Sequence, residues 1–161
     1  MGEERERATI VVFSGELDRA LAAFNIATTA ASMGMEVTMF FTFWGLNVVA
    51  RERVRGSGRD PLQRMLGLMN RGGARRLKLS RLDMMGGGRA AMKRLMGKYR
   101  MPSLEEMIPM ARELGVRFIA CTTSMALMGL DEGDFIPEVD EFAGAATYVE
   151  EASRSSINLF I

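Results

Sequence analysis

Two short runs rich in β-branched and aromatic residues, TIVVF (Thr9 to Phe13) and EVTMFFTF (Glu36 to Phe43), bracket a stretch of helical periodicity. In that stretch Leu17, Leu21, Phe24, Thr28 and Ala31 fall on one face, and Gly34 stands where a helix should stop. A strand, a helix and a second strand in this order require a parallel pair joined by a right-handed crossover. No other feature constrains the fold as strongly. A parallel sheet must be covered on both faces, so the chain is expected to fold as an α/β layer structure.

The same rhythm returns later in the chain. PSLEEMIPMARELG carries a Ser103–Glu106 capping box and a terminating Gly115, with Pro109 inside the helix as a candidate kink. VRFIACT (Val116 to Thr122) reads as the third strand and TSMALMG as the helix after it. A short fourth strand is expected near Val139 to Phe142, GAATYVEEASRS as the last helix and INLFI as the last strand. The fold class is therefore α/β, a flavodoxin-like doubly wound five-stranded parallel sheet. With the order 2-1-3-4-5, strands one and three would be neighbours, and Ser14 would cap the first helix.

Between the second strand and the capping box the rhythm breaks. WGLNVVARERVRGSGRD begins as a short helix and becomes basic. Asp60-Pro61 is a good N-cap and N1 pair for a helix through Met69, and an amphipathic helix is expected near Ala90 to Tyr99. We read residues 1–161 as one domain with a basic, Met/Gly-rich helical insertion at about 51–101. The net charge is +1, but Arg51 to Arg100 holds 15 Lys/Arg against 3 Asp/Glu, so the insertion is +12 and the remainder −11. Such an asymmetry suits pairing between copies, with the insertion as the contact, or an anionic partner. Nine of the 15 methionines lie between Met65 and Met110. Core and oligomer packing is the first reading of these methionines; the second is that Met84, Met85, Met92 and Met96 beside Arg89, Lys93, Arg94 and Lys98 form a partner surface or a peripheral contact to an anionic membrane. Nucleic acid is a poor partner, because Tyr99 is the lone aromatic in the basic segment and offers no stacking platform. GGG (Gly86 to Gly88) is no GxxxxGK[ST] loop and follows no strand.

The chain has one cysteine, Cys121, and no histidine. An internal disulfide is impossible, and zinc ligation and a Cys–His hydrolase are excluded. No metal or other cofactor is expected. A single cysteine and a charged amino-terminal stretch suggest the cytoplasm. A cysteine phosphatase would need arginine six residues on, where Leu127 stands, and no CxxC is present. Cys121 falls at the carboxyl end of the third strand and the start of a helix, where ligands gather in doubly wound sheets. A helix start can lower a thiol pKa from about 8.5 into the range ~3.5–7.5 without any histidine. The expected surroundings are Ser14, Gly15, Thr42, Phe43, Trp44, Thr122, Thr123 and Ser124, which we take as substrate-binding candidates with Cys121 as the reactive group.

SGELDRALAAFNIATTAASMGMEVTMFFTFWGL, LKLSRLDMMGGG, MPSLEEMIPMARELGVRFIACTTSMALMGL and the closing NLFI resemble the DsrE/DsrF-like family, in its longer, Met-rich branch of sulfurtransferases. The resemblance implies a flavodoxin-like domain that forms homo-oligomers. It also implies a strand-end cysteine that carries sulfur as a persulfide, here Cys121, between sulfur donor and acceptor proteins. The family usually has an acidic residue after the Ser-Met pair, where this chain has Ala126. A second reading is a non-catalytic assembly or binding subunit in which Cys121 only packs.

Overall fold

The computed structural model describes residues 6–52, 60–69 and 72–161. The basic stretch 53–59, expected to follow the short helix, lies outside the described residues, as do 1–5 and 70–71. Strand β1 (Arg7–Val12) leads through helix α1 (Leu17–Ser32) to β2 (Glu36–Phe41). A 3-10 turn (Phe43–Gly45), α2 (Leu46–Val49), α3 (Pro61–Met69), α4 (Gly87–Lys98) and α5 (Leu104–Glu113) follow before β3 (Arg117–Cys121). Then come α6 (Thr122–Met128), β4 (Glu141–Ala143), α7 (Ala145–Ser153) and β5 (Ile157–Phe160). All four strand pairings are parallel, so the doubly wound five-stranded α/β sheet is the class expected from the sequence.

The strand order differs. It is β4-β3-β2-β1-β5, with β2 between β1 and β3. Each right-handed step from β1 to β4 moves the same way and lays its helix on the same face. Only the return from β4 to β5 runs backwards, and it carries α7 to the opposite face. Local patterning fixes which segments are strands but not which of them lie side by side, so the 2-1-3-4-5 order does not hold here.

The two faces are packed unequally. On the first, Ile10, Val12, Met39, Phe41 and Phe118 are essentially fully buried against α1 and α5. Phe24 of α1 meets Phe118 edge-on at 5.6 Å and Phe41 at 6.2 Å. On the second face Val11, Phe40, Ile119 and Cys121 form a small cluster under Tyr148 of α7, whose ring lies 5.2 Å from Phe40. No α7 residue is itself buried, and Phe160 at the sheet edge stays exposed. At the other end of this face Arg117 pairs with Glu141 and with Glu151, joining β3 to β4 and α7. Burial works against its charge, but the two carboxylates hold its pKa above the ordinary arginine value.

The ends of the helices follow the sequence with one exception. Ser103 accepts from the Glu106 N–H while Glu106 reaches back to the Ser103 N–H at 2.7 Å, and α5 runs on through Pro109. Asp60 accepts from the Leu62 N–H at 2.8 Å ahead of α3. Gly34 and Gly115 take positive φ just after α1 and α5. Ser14, however, is not the cap of α1. The N-cap is Glu16, and Ser14 Oγ accepts from the Glu16 N–H at 3.1 Å one step earlier. Met96 is buried in the core, while Met84, Met85 and Met92 are exposed, so the four methionines divide between the packing and the surface readings.

The long β2–β3 connection is stitched to the start of α1. Leu17 N–H donates to the Lys78 carbonyl at 2.7 Å, and Ser80 N–H donates to Asp18 Oδ1 at 2.9 Å. Gly88 allows the next turn to close, since a Cβ there would lie 1.7 Å from the Leu82 carbonyl oxygen. Burial pushes the Asp18 carboxyl up, but the Ser80 hydroxyl and N–H outweigh it and hold the pKa below its ordinary 3.8. The stabilisation is therefore complete above that value and is lost as pH falls through the lower folded one. We expect Asp18→Asn to lower unfolding stability in urea at neutral pH by about 1–3 kcal/mol. The gap to wild type should close in acid; a gap that is constant across pH would contradict this role.

Candidate functional site

Thiol chemistry and the cleft residues are set by two turns at the carboxyl end of the sheet. After β2 the chain crosses back over the end of β1: Thr42 N–H donates to the Val12 carbonyl at 3.1 Å and Gly45 N–H to the Phe13 carbonyl at 2.8 Å. The approach is so close that a Cβ on Gly45 would fall 1.8 Å from the Val12 carbonyl oxygen, and one on Gly15 would fall 2.5 Å from the Trp44 carbonyl oxygen. Phe43 between them takes a left-handed φ of 48°, with its ring 5.5 Å from Phe13.

Cys121 ends β3 and is the N-cap residue of α6, with extended backbone. It is only 4% exposed, under the α7 side of the sheet with Val11, Phe40 and Ile119, and with Ala143 and Tyr148 packed against the group. Phe41 is in register with Ala120, so Thr42 comes next to Cys121 across the β2–β3 pair. Thr42 Oγ1 and Ser124 Oγ share a hydrogen bond of 2.8 Å beside the sulfur. Burial pushes the thiol pKa up. The Ser124 N–H and hydroxyl, the Thr42 hydroxyl and the Thr123 N–H pull it down, and the net result lies below the ordinary 9.0.

The residues anticipated around the thiol fall into two places. Thr42, Thr123 and Ser124 surround Cys121, while Thr122 starts α6 with an exposed side chain. Ser14, Gly15 and Trp44 instead line a cleft of about 790 Å3. Because β2 separates β1 from β3, the β1 turn does not sit next to Cys121 as the expected strand order required. Phe43 and Trp44, both about two-fifths exposed, also border a smaller apolar pocket of about 290 Å3 with Leu66, Leu127 and Met128. The sequence reading missed Arg76, Lys78 and Arg89 in the larger cleft. Their place depends on the contact of residue 78 with the α1 start. The alternation in LKLS was the available signal for an extended segment, but nothing in it named its partner.

Among the described residues, no group of three or more Cys, Asp or Glu side chains is arranged to hold a metal ion. Nor is any described helix long and apolar enough to cross a membrane.

Fold and site together define a parallel α/β domain with one shielded thiol, poised at a strand end by neutral donors. The sequence matches the DsrE/DsrF/DrsH-like family over residues 4–160, and the chain belongs to that family. It is 41% identical over the full length of both chains to the uncharacterized protein YrkE of Bacillus subtilis. It is 34% identical to the sulfur carrier protein DsrE2 of Allochromatium vinosum, across 98% of this chain and 99% of that one. Among solved structures, the fold is similar to MTH1491 of Methanobacterium thermoautotrophicum, with a TM-score of 0.52, 14% identity and coverage of 97% and 99% of the two chains. It is also similar to YchN of Escherichia coli, with a TM-score of 0.57, 10% identity and coverage of 96% and 99%.

Two outcomes test the geometry. Alkylation of Cys121 by iodoacetamide, followed against pH, should give an apparent pKa below 9.0 in wild type and a higher one in Ser124→Ala and Thr42→Val. An unchanged profile in both variants would remove the donors from the site. Gly45→Ala should cost about 1–3 kcal/mol in unfolding stability through its clash with the β1 backbone.

Proposed function

We propose that the chain is a sulfur carrier that holds sulfane sulfur as a persulfide on Cys121. The observation that carries the reading is a lone thiol whose pKa is lowered by amide and hydroxyl donors, with no acid–base partner in a chain that lacks histidine. A sulfur-relay role is supported by membership of the family and by the relative named sulfur carrier protein DsrE2.

The transfer balances without an oxidant. The Cys121 thiolate attacks the outer sulfur of a donor persulfide R–S–SH, the donor's S–S bond breaks, and R–S⁻ leaves. Cys121 now carries –S–SH. In the second half an acceptor thiolate attacks that outer sulfur, and Cys121 departs as the thiolate it was before. A thiolate is both nucleophile and leaving group, so donors that stabilise it serve both halves. Thr42, Ser124 and the Thr123 N–H have this role, and Thr122, one residue further on, lies at the mouth. Tyr148 and Ala143, packed against the Cys121 cluster, limit water at the sulfur, while Phe43 packs against Phe13 away from it. Ser14, Gly15 and Trp44 line the separate cleft and take no part in this transfer.

Donor and acceptor proteins must reach a sulfur that is almost covered. The thinly covered sheet face around α7, where Phe160 and Val149 are 70% and 61% exposed, supplies a surface for such partners or for further copies of the chain. The basic β2–β3 connection is the second contact region of the homo-oligomer, through charge complementarity. Met92 contributes apolar area there; a membrane contact would use the exposed Met84 and Met85.

The test is intact mass after incubation with polysulfide or with a low-molecular-weight persulfide. Wild type should gain the mass of one sulfur atom, lost again on adding a thiol reductant, and Cys121→Ser should gain nothing. Wild type without added sulfur, or Cys121→Ser loading equally, would leave Cys121 as a packing residue of an assembly subunit.

A further inference from the structure

The thiol reading leaves the large cleft at the end of β1 without a task. Its volume of about 790 Å3 is in the range of small-molecule sites, ~300–1,000 Å3, and far exceeds what one sulfur oxyanion needs. Four cations line it: Arg19, Arg76, Lys78 and Arg89. Arg19 is engaged with Glu16 at 2.9 Å, and Glu16 is the one carboxylate among the lining residues. Arg76, Lys78 and Arg89 form no ion pair with any described residue.

The backbone that carries Arg76 and Lys78 is held in place, and the Arg89 guanidinium is bonded to it. Lys78 belongs to the segment whose carbonyl accepts from Leu17 N–H, next to the Asp18–Ser80 tie. Arg89 donates to the Arg76 carbonyl at 3.0 Å and so holds the same segment from α4. Gathering like charges on a rigid rim costs electrostatic energy that an anion would offset. The rim is not the whole cleft. Trp44 and Phe13 supply aromatic surface, with Leu77 and Leu79 adding aliphatic wall. Trp44 is 44% exposed although it is the chain's only tryptophan and its backbone is pinned against Gly15.

We propose that this cleft binds an organic phosphate of nucleotide or coenzyme size, with its phosphates on Arg76, Lys78 and Arg89 and its organic body against Trp44. Unpaired cations select the phosphate. The volume and the aromatic wall select a ligand with a body, rather than inorganic phosphate. The site stands apart from sulfur transfer, so it survives or fails independently of Cys121.

Trp44 supplies the readout, because its fluorescence reports occupancy with no assay of activity. The full chain is titrated with ADP and with coenzyme A, and inorganic phosphate and pyrophosphate serve as charge-only probes; equilibrium dialysis of the same ligands detects binding that leaves fluorescence unchanged. We expect saturable binding of at least one organic phosphate, tighter than either inorganic probe. Arg76→Gln and Lys78→Gln, both at exposed positions, should each weaken it by about tenfold or more. Arg94→Gln, exposed on α4 and outside the lining, and Cys121→Ser should bind as wild type does. Four results would overturn the proposal: no saturable binding by either method, pyrophosphate binding as tightly as the organic ligands, equal loss in Arg94→Gln, or full affinity in both Arg76→Gln and Lys78→Gln.

Discussion

The crossing of the β2 turn over the end of β1 governs both halves of the carboxyl end of this sheet. Two glycines make it feasible, Gly45 against the Val12 carbonyl and Gly15 against the Trp44 carbonyl. Two backbone hydrogen bonds, from Thr42 and Gly45, lock it. From that lock Thr42 is carried to the side of Cys121, and Trp44 is carried to the wall of the basic cleft. The strained φ of Phe43 is the cost of turning the chain between these two places. A side chain at either glycine would have to separate the turns, and thiol and cleft would both lose a wall.

The sheet order adds a second constraint. Three crossover steps in one direction put the heavy packing on one face, with Phe24, Phe41 and Phe118 in mutual contact. The reverse step leaves the other face to a single short helix. Cys121 lies on this thin side, shielded by Tyr148 and Ala143 rather than by a deep core. A thiol there is hidden from bulk water yet separated from the exposed side of α7 by little protein. Deep burial on the α1 side would protect a sulfur adduct but leave no route for its transfer.

Much of this was legible in the sequence because it is local. The five strands, the Ser103–Glu106 box, the Asp60–Pro61 start and the glycine stops each depend on residues within a few positions of one another. Cys121 as a helix-start residue at a strand end follows from the same patterning. What the sequence concealed is pairing at a distance. Nothing in TIVVF or VRFIACT says that EVTMFF lies between them, and the misplaced Ser14–Cys121 contact came from that gap. The burial of Met96 and the anchoring of Lys78 on Leu17 are likewise tertiary facts. An amphipathic pattern marks an apolar face without saying whether it meets the core or a partner.

The chemistry of the thiol explains why a chain without histidine suits this site. In the proposed carrier the sulfur attacks and then leaves, and such a sulfur gains little from an extreme pKa, because nucleophilicity falls as the thiolate is stabilised. A lysine or arginine beside Cys121 would drive the pKa lower and blunt the attack. The main influences on Cys121 include no charged side chain: burial raises its pKa, and two amides and two hydroxyls lower it. Opposed neutral effects of this kind leave the thiol pKa below its ordinary value and little affected by salt. Arg76, Lys78 and Arg89, which form no ion pair among the described residues, are gathered instead in the cleft, on the segment bound to α1 and on α4. The fold thus gives the thiol a neutral setting and places a charged cleft apart from it, with the Phe43–Trp44 turn leading from one to the other.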